Sequence, residues 1–346
     1  MNTQTTLPKK VYRALVTGHF STVGDIEVLH QIETRLQSAE MPFATTPFNQ
    51  NRVALDPLWV KATTLDPDEF SHLIVVCGPY SPDYPSRYPE VFGRFRHCVH
   101  VGVNLTMVAP LAQCNPFDAL LERDSDRMVR PDLSFLEKVS HVPVVGLCLV
   151  DQQHEYGGLQ RHAEAARRLQ AVLGRAGVAT IPLDTVLPRS RNVAGIGTAA
   201  EFEAICSRLD IMVTTRLHGT VLSLKNGVPV LAVDAVSGGD KVTRQTKMLG
   251  WPESVILDTT SDEELLAAVM RCLQPEARKL AANCAVRARA LLSDYDNAFI
   301  GALAALPDPA RRPLMASRRG RLSRIAAHYR KWKRRWIPSR NAMSSE

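Results

Sequence analysis

Four stretches of this chain are apolar without alternation: HLIVVCG (72–78), VPVVGLCLV (142–150), DIMVTT (210–215) and VPVLAVD (228–234). A strand with one wet face alternates apolar and polar residues. An unbroken apolar run needs apolar neighbours on both faces, which is the condition of a parallel sheet covered by helices on each side. VYRALVTG (11–18), CVHVGVN (98–104) and VATIPL (178–183) read as further strands. Between the strands the period shifts to that of helices, over 25–39, 159–177 with its glycine stop, 199–209, 218–227, 261–273 and 275–295, with a short helix over 131–139. The pattern restarts near residue 141, after a middle rich in Pro, Tyr and charge. The expectation is an α/β chain of two Rossmann-like domains, 10–140 and 141–305. No internal repeat is visible.

Charge divides the chain differently. Of its 42 Lys and Arg, twelve fall in residues 311–346, against one of its 35 Asp and Glu. That segment is therefore +11 and the rest, with thirty bases and thirty-four acids, is −4. A mildly acidic body argues against nucleic acid as a partner. In the basic segment Leu322, Ile325, Ala326, Tyr329, Trp332 and Trp336 recur at helical spacing. A basic C-terminal helical tail of this kind lies on an anionic membrane surface through residues 318–337, or packs on the body. The longest apolar run is too short to span a bilayer, and MNTQTTLPKK has no signal-peptide core. The expected location is cytoplasmic, peripheral at the inner face of the plasma membrane if the tail binds lipid. Seven scattered cysteines, none in C-x-x-C, argue against structural disulfides and structural zinc.

The chemistry concentrates in TTRLHG (214–219), where an apolar strand meets an apolar helix. Ligands of open α/β sheets sit outside the carboxyl ends of strands. Thr214 or Thr215 is placed to cap the helix, whose first N–H groups favour an anion. Arg216 binds a phosphate or carboxylate in bidentate fashion, and His218 holds the same anion or passes a proton. An anion there offsets two cations at the positive end of a helix dipole. In the other half, Tyr80 and Tyr84 alternate with prolines in GPYSPDYPSRYPE, a sugar-stacking loop or a structural one.

Arg216-Leu217-His218-Gly219, an apolar helix, then Asn226-Gly227-Val228-Pro229 and an apolar strand resemble the polysaccharide pyruvyl transferase family. Val23-Gly24-Asp25, Arg123-Asp124, PDLSF (131–135) and Asp240-Lys241-Val242 resemble other elements of it, so that the resemblance covers roughly residues 10–260. It implies a two-domain glycosyltransferase-B-like fold. It implies transfer of a pyruvyl group from phosphoenolpyruvate to two hydroxyls of a cell-surface polysaccharide or its precursor, lipid-linked or not, as a ketal with release of phosphate. The donor would be held by Arg216 and Lys241 of the C-terminal domain, with Thr215 and Gly219 beside them and His218 as acid or phosphate partner, and by Arg123 as a further cation. The N-terminal domain would hold the acceptor, with Asp25 as base or sugar ligand; the other role open to Asp25 is a helix cap. No metal and no cofactor beyond the donor substrate is expected. The rival expectations are a nucleotide-sugar glycosyltransferase and a non-catalytic scaffold in polysaccharide assembly.

Overall fold

The computed structural model describes residues 12–304, and the structural statements that follow concern those residues. The tail over 311–346, including the stripe at 318–337, lies outside them. The chain divides into two compact units, one through His141 and one from Val142.

The first unit runs β1 (Ala14–Gly18), α1 (Val23–Ser38), β2 (Phe43–Pro47), β3 (His72–Val76), β4 (Pro79–Tyr80), α2 (Tyr84–Arg87), α3 (Pro89–Phe92), β5 (Val99–Val103), β6 (Thr106–Met107) and β7 (Ala119–Leu121). β4 and β6 form a small separate pair, and the main sheet has the order β2-β1-β3-β5-β7 with every pairing parallel. The period-two geometry of a strand sends neighbours to opposite faces. Leu15, Leu73 and Val75 accordingly join Phe48, Tyr80 and Phe95 in one core cluster, while Ala14, Val16, Ile74 and Val76 join Val28, Leu29 and Ile32 of the α1 side in another. Both faces are dry, as unbroken apolar runs require.

The second unit runs β8 (Val144–Cys148), α4 (His162–Arg175), β9 (Ala179–Leu183), α5 (Ala199–Cys206), β10 (Ile211–Thr214), α6 (Leu217–Lys225), β11 (Val230–Asp234), α7 (Lys241–Leu249), β12 (Ser254–Ile256), α8 (Asp262–Cys272), α9 (Pro275–Leu291) and α10 (Tyr295–Ala304). Its sheet is again all parallel, in the order β9-β8-β10-β11-β12. One continuous core, including Val145, Ile211, Val213 and Leu231, surrounds the central strands. Fully burying each such side chain stabilises the fold by roughly 1.5–3 kcal/mol.

Counted in chain order, the strands of both main sheets lie 2-1-3-4-5. In this doubly wound order the connections leave strands one and three in opposite directions, and a crevice opens where they part. That switch point falls between the ends of β1 and β3 in one unit and of β8 and β10 in the other.

Some elements carry too little apolar signal to be read from sequence. β2 is FATTP, β7 and β12 span three residues each, and α7 buries Val242, Thr246 and Leu249 on an otherwise polar helix. The helix expected over 131–139 is a single 3-10 turn, Leu133–Leu136, started by the Asp132 carboxylate accepting from the Ser134 amide. All seven cysteines are free thiols.

Candidate active site

The exits of β8 and β10 are stitched together by two threonines. Thr214 Oγ1 donates to the Cys148 carbonyl at 2.6 Å and accepts from the Arg216 amide at 3.0 Å; Thr215 Oγ1 accepts from the Val150 amide at 2.8 Å. Neither hydroxyl therefore caps α6 as expected. Arg216 itself occupies the N-cap position, with extended backbone and no side-chain cap. Gly219 lies in the first turn of α6, where a Cβ would come within 2.3 Å of Thr214 Oγ1. Only glycine lets the helix approach the strand end so closely. Gly219 thus shapes the backbone here.

Arg216 turns its guanidinium across the switch point. Its Nε donates to the Leu149 carbonyl at 2.8 Å, and its Nη2 pairs with Asp184 at 2.9 Å, both side chains being mostly shielded. This carboxylate and carbonyl offset the cation that the helix start disfavours. The pair faces a cavity of about 370 Å³, lined also by Asp151, Gln153, Glu155 and Arg191. Arg191 has no side-chain partner among the described residues.

Asp184 and Arg191 sit on the irregular connection after β9, which one side chain holds in shape. Buried Asn192 donates through Nδ2 to the carbonyls of Asp184 and Val186, both at 2.9 Å. Its Oδ1 accepts from the amides of Ala194 at 2.9 Å and Ile196 at 3.1 Å.

Further titratable groups lie near it. His162, the first residue of α4, is 3% exposed; its Nε2 lies 3.2 Å from Gln153 Oε1, and its Nδ1 is buried without a partner. Burial lowers its pKa, the Lys241 charge lowers it further, and Asp234 opposes both. The imidazole is therefore neutral at pH 7. Lys241 opens α7 with Nζ 5.6 Å from the centre of the Tyr156 ring, a cation–π contact. The Tyr156 hydroxyl donates to Asp240, which also pairs with Arg244. Asp234, buried at the end of β11, accepts from the amides of Asp240 at 2.7 Å and Thr243 at 3.0 Å, and so fixes the start of the helix that carries Lys241. His218 is exposed on α6, and its side chain makes no hydrogen bond among the described residues.

The first unit furnishes its switch point otherwise. Asp25 is the third residue of α1 and closes a capping box: its carboxylate accepts from the Ser21 and Thr22 amides, each at 3.0 Å, while Thr22 Oγ1 accepts from the Asp25 amide. Asp25 thus caps its own helix. Tyr80 and Tyr84 are 1% and 5% exposed. Their rings pack edge to face on each other, with Phe117 against Tyr80 and Phe48 against Tyr84, so neither offers a face to a sugar. Prolines in the sequence marked the loop as irregular but not which way its tyrosines point. Tyr84 Oη lies 2.7 Å from His19 Nε2, and burial lowers the His19 pKa. Arg123, expected as a donor ligand, is already neutralised by Asp124 and Asp132, at 2.9 and 2.8 Å, and also donates to Thr106. Burial pushes Asp132 up, but hydrogen bonds from Ser134, Arg123 and Asn104 outweigh it and hold the carboxyl at about 2.

Sequence reasoning missed Asp184, Arg191, His162 and Asp234. A signal existed for two of them: Asp184 and Asp234 stand at strand carboxyl ends, in IPLD and LAVD.

The family model described as polysaccharide pyruvyl transferase matches residues 152–235. That stretch contains His162, Asp184, Arg191, Arg216 and His218; Asp25, Arg123 and Lys241 lie outside it. No curated protein matches the chain. Among solved structures the chain is similar to a spinosyn rhamnosyltransferase, SpnG, complexed with thymidine diphosphate (11% identity over 82% of this chain and 100% of that one, TM-score 0.33). It is similar also to the spinosyn forosaminyltransferase SpnP (13%, 84% and 100%, TM-score 0.29) and to UDP-GlcNAc 2-epimerase from Methanocaldococcus jannaschii (10%, 82% and 99%, TM-score 0.29).

Proposed function

We propose that this chain transfers a pyruvyl group from phosphoenolpyruvate to a sugar of a cell-surface polysaccharide or its precursor, forming a pyruvate ketal and releasing phosphate. The observation that carries the reading is Arg216: it opens into a polar cavity at a strand switch point, inside the stretch that matches the pyruvyl transferase family. The donor carries a phosphate and a carboxylate, and a guanidinium already oriented by a backbone carbonyl is suited to one of them. Binding exchanges the Asp184 carboxylate for the donor's anion. Arg191, facing the same cavity, and Lys241 supply further positive charge.

In the proposed reaction the donor's methylene carbon takes a proton, which leaves an oxocarbenium-like centre at the adjacent carbon. One sugar hydroxyl attacks that centre and loses its proton, phosphate departs with its bridging oxygen, and a second hydroxyl closes the ring. The two hydroxyl protons balance the one gained by carbon and the one taken by phosphate. His218, exposed and free to meet a substrate, is the proposed proton carrier. The reaction calls on no cofactor.

Calorimetry with phosphoenolpyruvate tests the reading on the wild type and on Arg216→Ala and Lys241→Ala. Saturable binding, weakened about tenfold or more in each variant, is expected from the loss of one charge-assisted contact. A folded wild type that binds no phosphoenolpyruvate, or that binds a nucleotide sugar in its place, overturns it.

A further inference from the structure

Helices of the second unit bury an apolar stripe: α8 buries Leu265, Ala268, Val269 and Cys272, and α9 buries Ala277, Ala281, Cys284 and Ala285. α10 buries nothing. Tyr295, Phe299, Ile300 and Leu303 are 53–66% exposed, and Leu291 and Leu292 before them are 56% and 60% exposed. Tyr295, Phe299 and Leu303 follow one another at four-residue steps and so form one stripe along the helix. Asp296 borders the stripe beside Leu303, and no described residue covers the stripe. Seven positions beyond Ala304 begins the segment 311–346, with its charge of +11 and with Trp332 and Trp336.

An uncovered apolar stripe that continues into concentrated positive charge selects its occupant. A second copy of this chain would bring a second +11 segment to the same place, where like charges repel. A surface of anionic lipid meets both features: apolar side chains enter the boundary between headgroups and acyl chains, and Lys and Arg approach the phosphates. The two features reinforce each other, because binding strength scales with buried apolar area plus electrostatic attraction to anionic lipid. We propose that α10 docks on an anionic membrane surface, its Tyr295–Phe299–Leu303 stripe inserted beside the basic segment that follows it. The inference stands on α10 and on charge, and not on the reaction proposed above.

The test uses the full-length chain, sedimented with vesicles of mixed phosphatidylglycerol and phosphatidylcholine or of phosphatidylcholine only. The double variant Phe299→Asp, Leu303→Asp changes exposed positions, and an unchanged thermal midpoint verifies its fold. The expected result is binding to the anionic vesicles that is at least about tenfold weaker for the variant, weaker on phosphatidylcholine, and reduced by salt. Equal binding by wild type and variant overturns the role of α10. So does failure to bind anionic vesicles at low salt. A concentration-dependent dimer that the double substitution splits assigns the stripe to a second copy instead.

Discussion

At the switch point of the first unit β1 and β3 end in Gly18 and Val76; at that of the second, β8 and β10 end in Cys148 and Thr214. The strand orders are the same, and each crevice has a histidine whose pKa burial lowers, His19 in one and His162 in the other. The surroundings differ. Around His19 stand Phe48, Tyr84 and Tyr88, and the nearby acid, Asp25, is engaged by the backbone of its own helix start. Around His162 stand Gln153, Lys241, Asp234 and Arg216, and a cavity opens beside them. Topology locates a crevice, and the side chains at the strand ends decide whether aromatic rings or charged groups line it.

The comparison breaks most visibly if the aromatic cluster is removed. Tyr84→Ala is expected to destabilise the first unit by about 3–5 kcal/mol, read as a fall in the urea midpoint. Arg216→Ala should cost less, about 1–3 kcal/mol for the Asp184 carboxylate and Leu149 carbonyl it leaves unpaired, and lower kcat/KM for phosphoenolpyruvate by about a hundredfold. Asp184→Asn sharpens the second crevice: with its competitor gone the guanidinium should bind donor about threefold more tightly, while kcat falls by about tenfold as its orientation loosens. Unchanged kinetics in that variant would remove Asp184 from the site. Asp25→Asn should cost about 1 kcal/mol as a weakened cap and leave turnover within about twofold. A collapse of turnover there would make the first crevice chemical after all.

The smallest effect is one of pH, and both crevices should show it. A histidine whose folded pKa lies below its unfolded value binds fewer protons when folded. Stability is therefore unaffected above the unfolded value near 6.5, falls as pH drops through it, and levels off below the folded pKa. Urea midpoints between pH 7.5 and pH 5 should decline for the wild type and decline less for His19→Gln and His162→Gln. If only one variant flattens the profile, the electrostatic likeness of the two crevices fails.

Much of the second unit was legible because β8, β10 and β11 are unbroken apolar runs, and an arginine directly after such a run falls at a sheet's carboxyl edge. The partner of that arginine was not legible. Asp184 reaches Arg216 because β9 and β10 flank the same strand, β8, and pairing order is not written in any local pattern. The role of the tyrosines stayed open for a related reason: Pro-Tyr alternation states that a loop is irregular and is silent on which rings the sheet behind it will claim. Arg123 was expected as a donor ligand on the resemblance alone; of the two acids that pair with it, Asp124 is its neighbour in sequence, while Asp132 lies nine positions away and meets it only through the 3-10 turn.

Asn192 has a consequence for how quickly a ligand can be met. Its four backbone contacts keep the connection from Asp184 to Ile196 in a single shape before any encounter. A loop that must fold around its guest loses conformational freedom at that moment and slows capture. Here that freedom is already surrendered during folding, so the anion of the proposed reaction would need only to displace one carboxylate, and its rate of capture would be set by diffusion and charge.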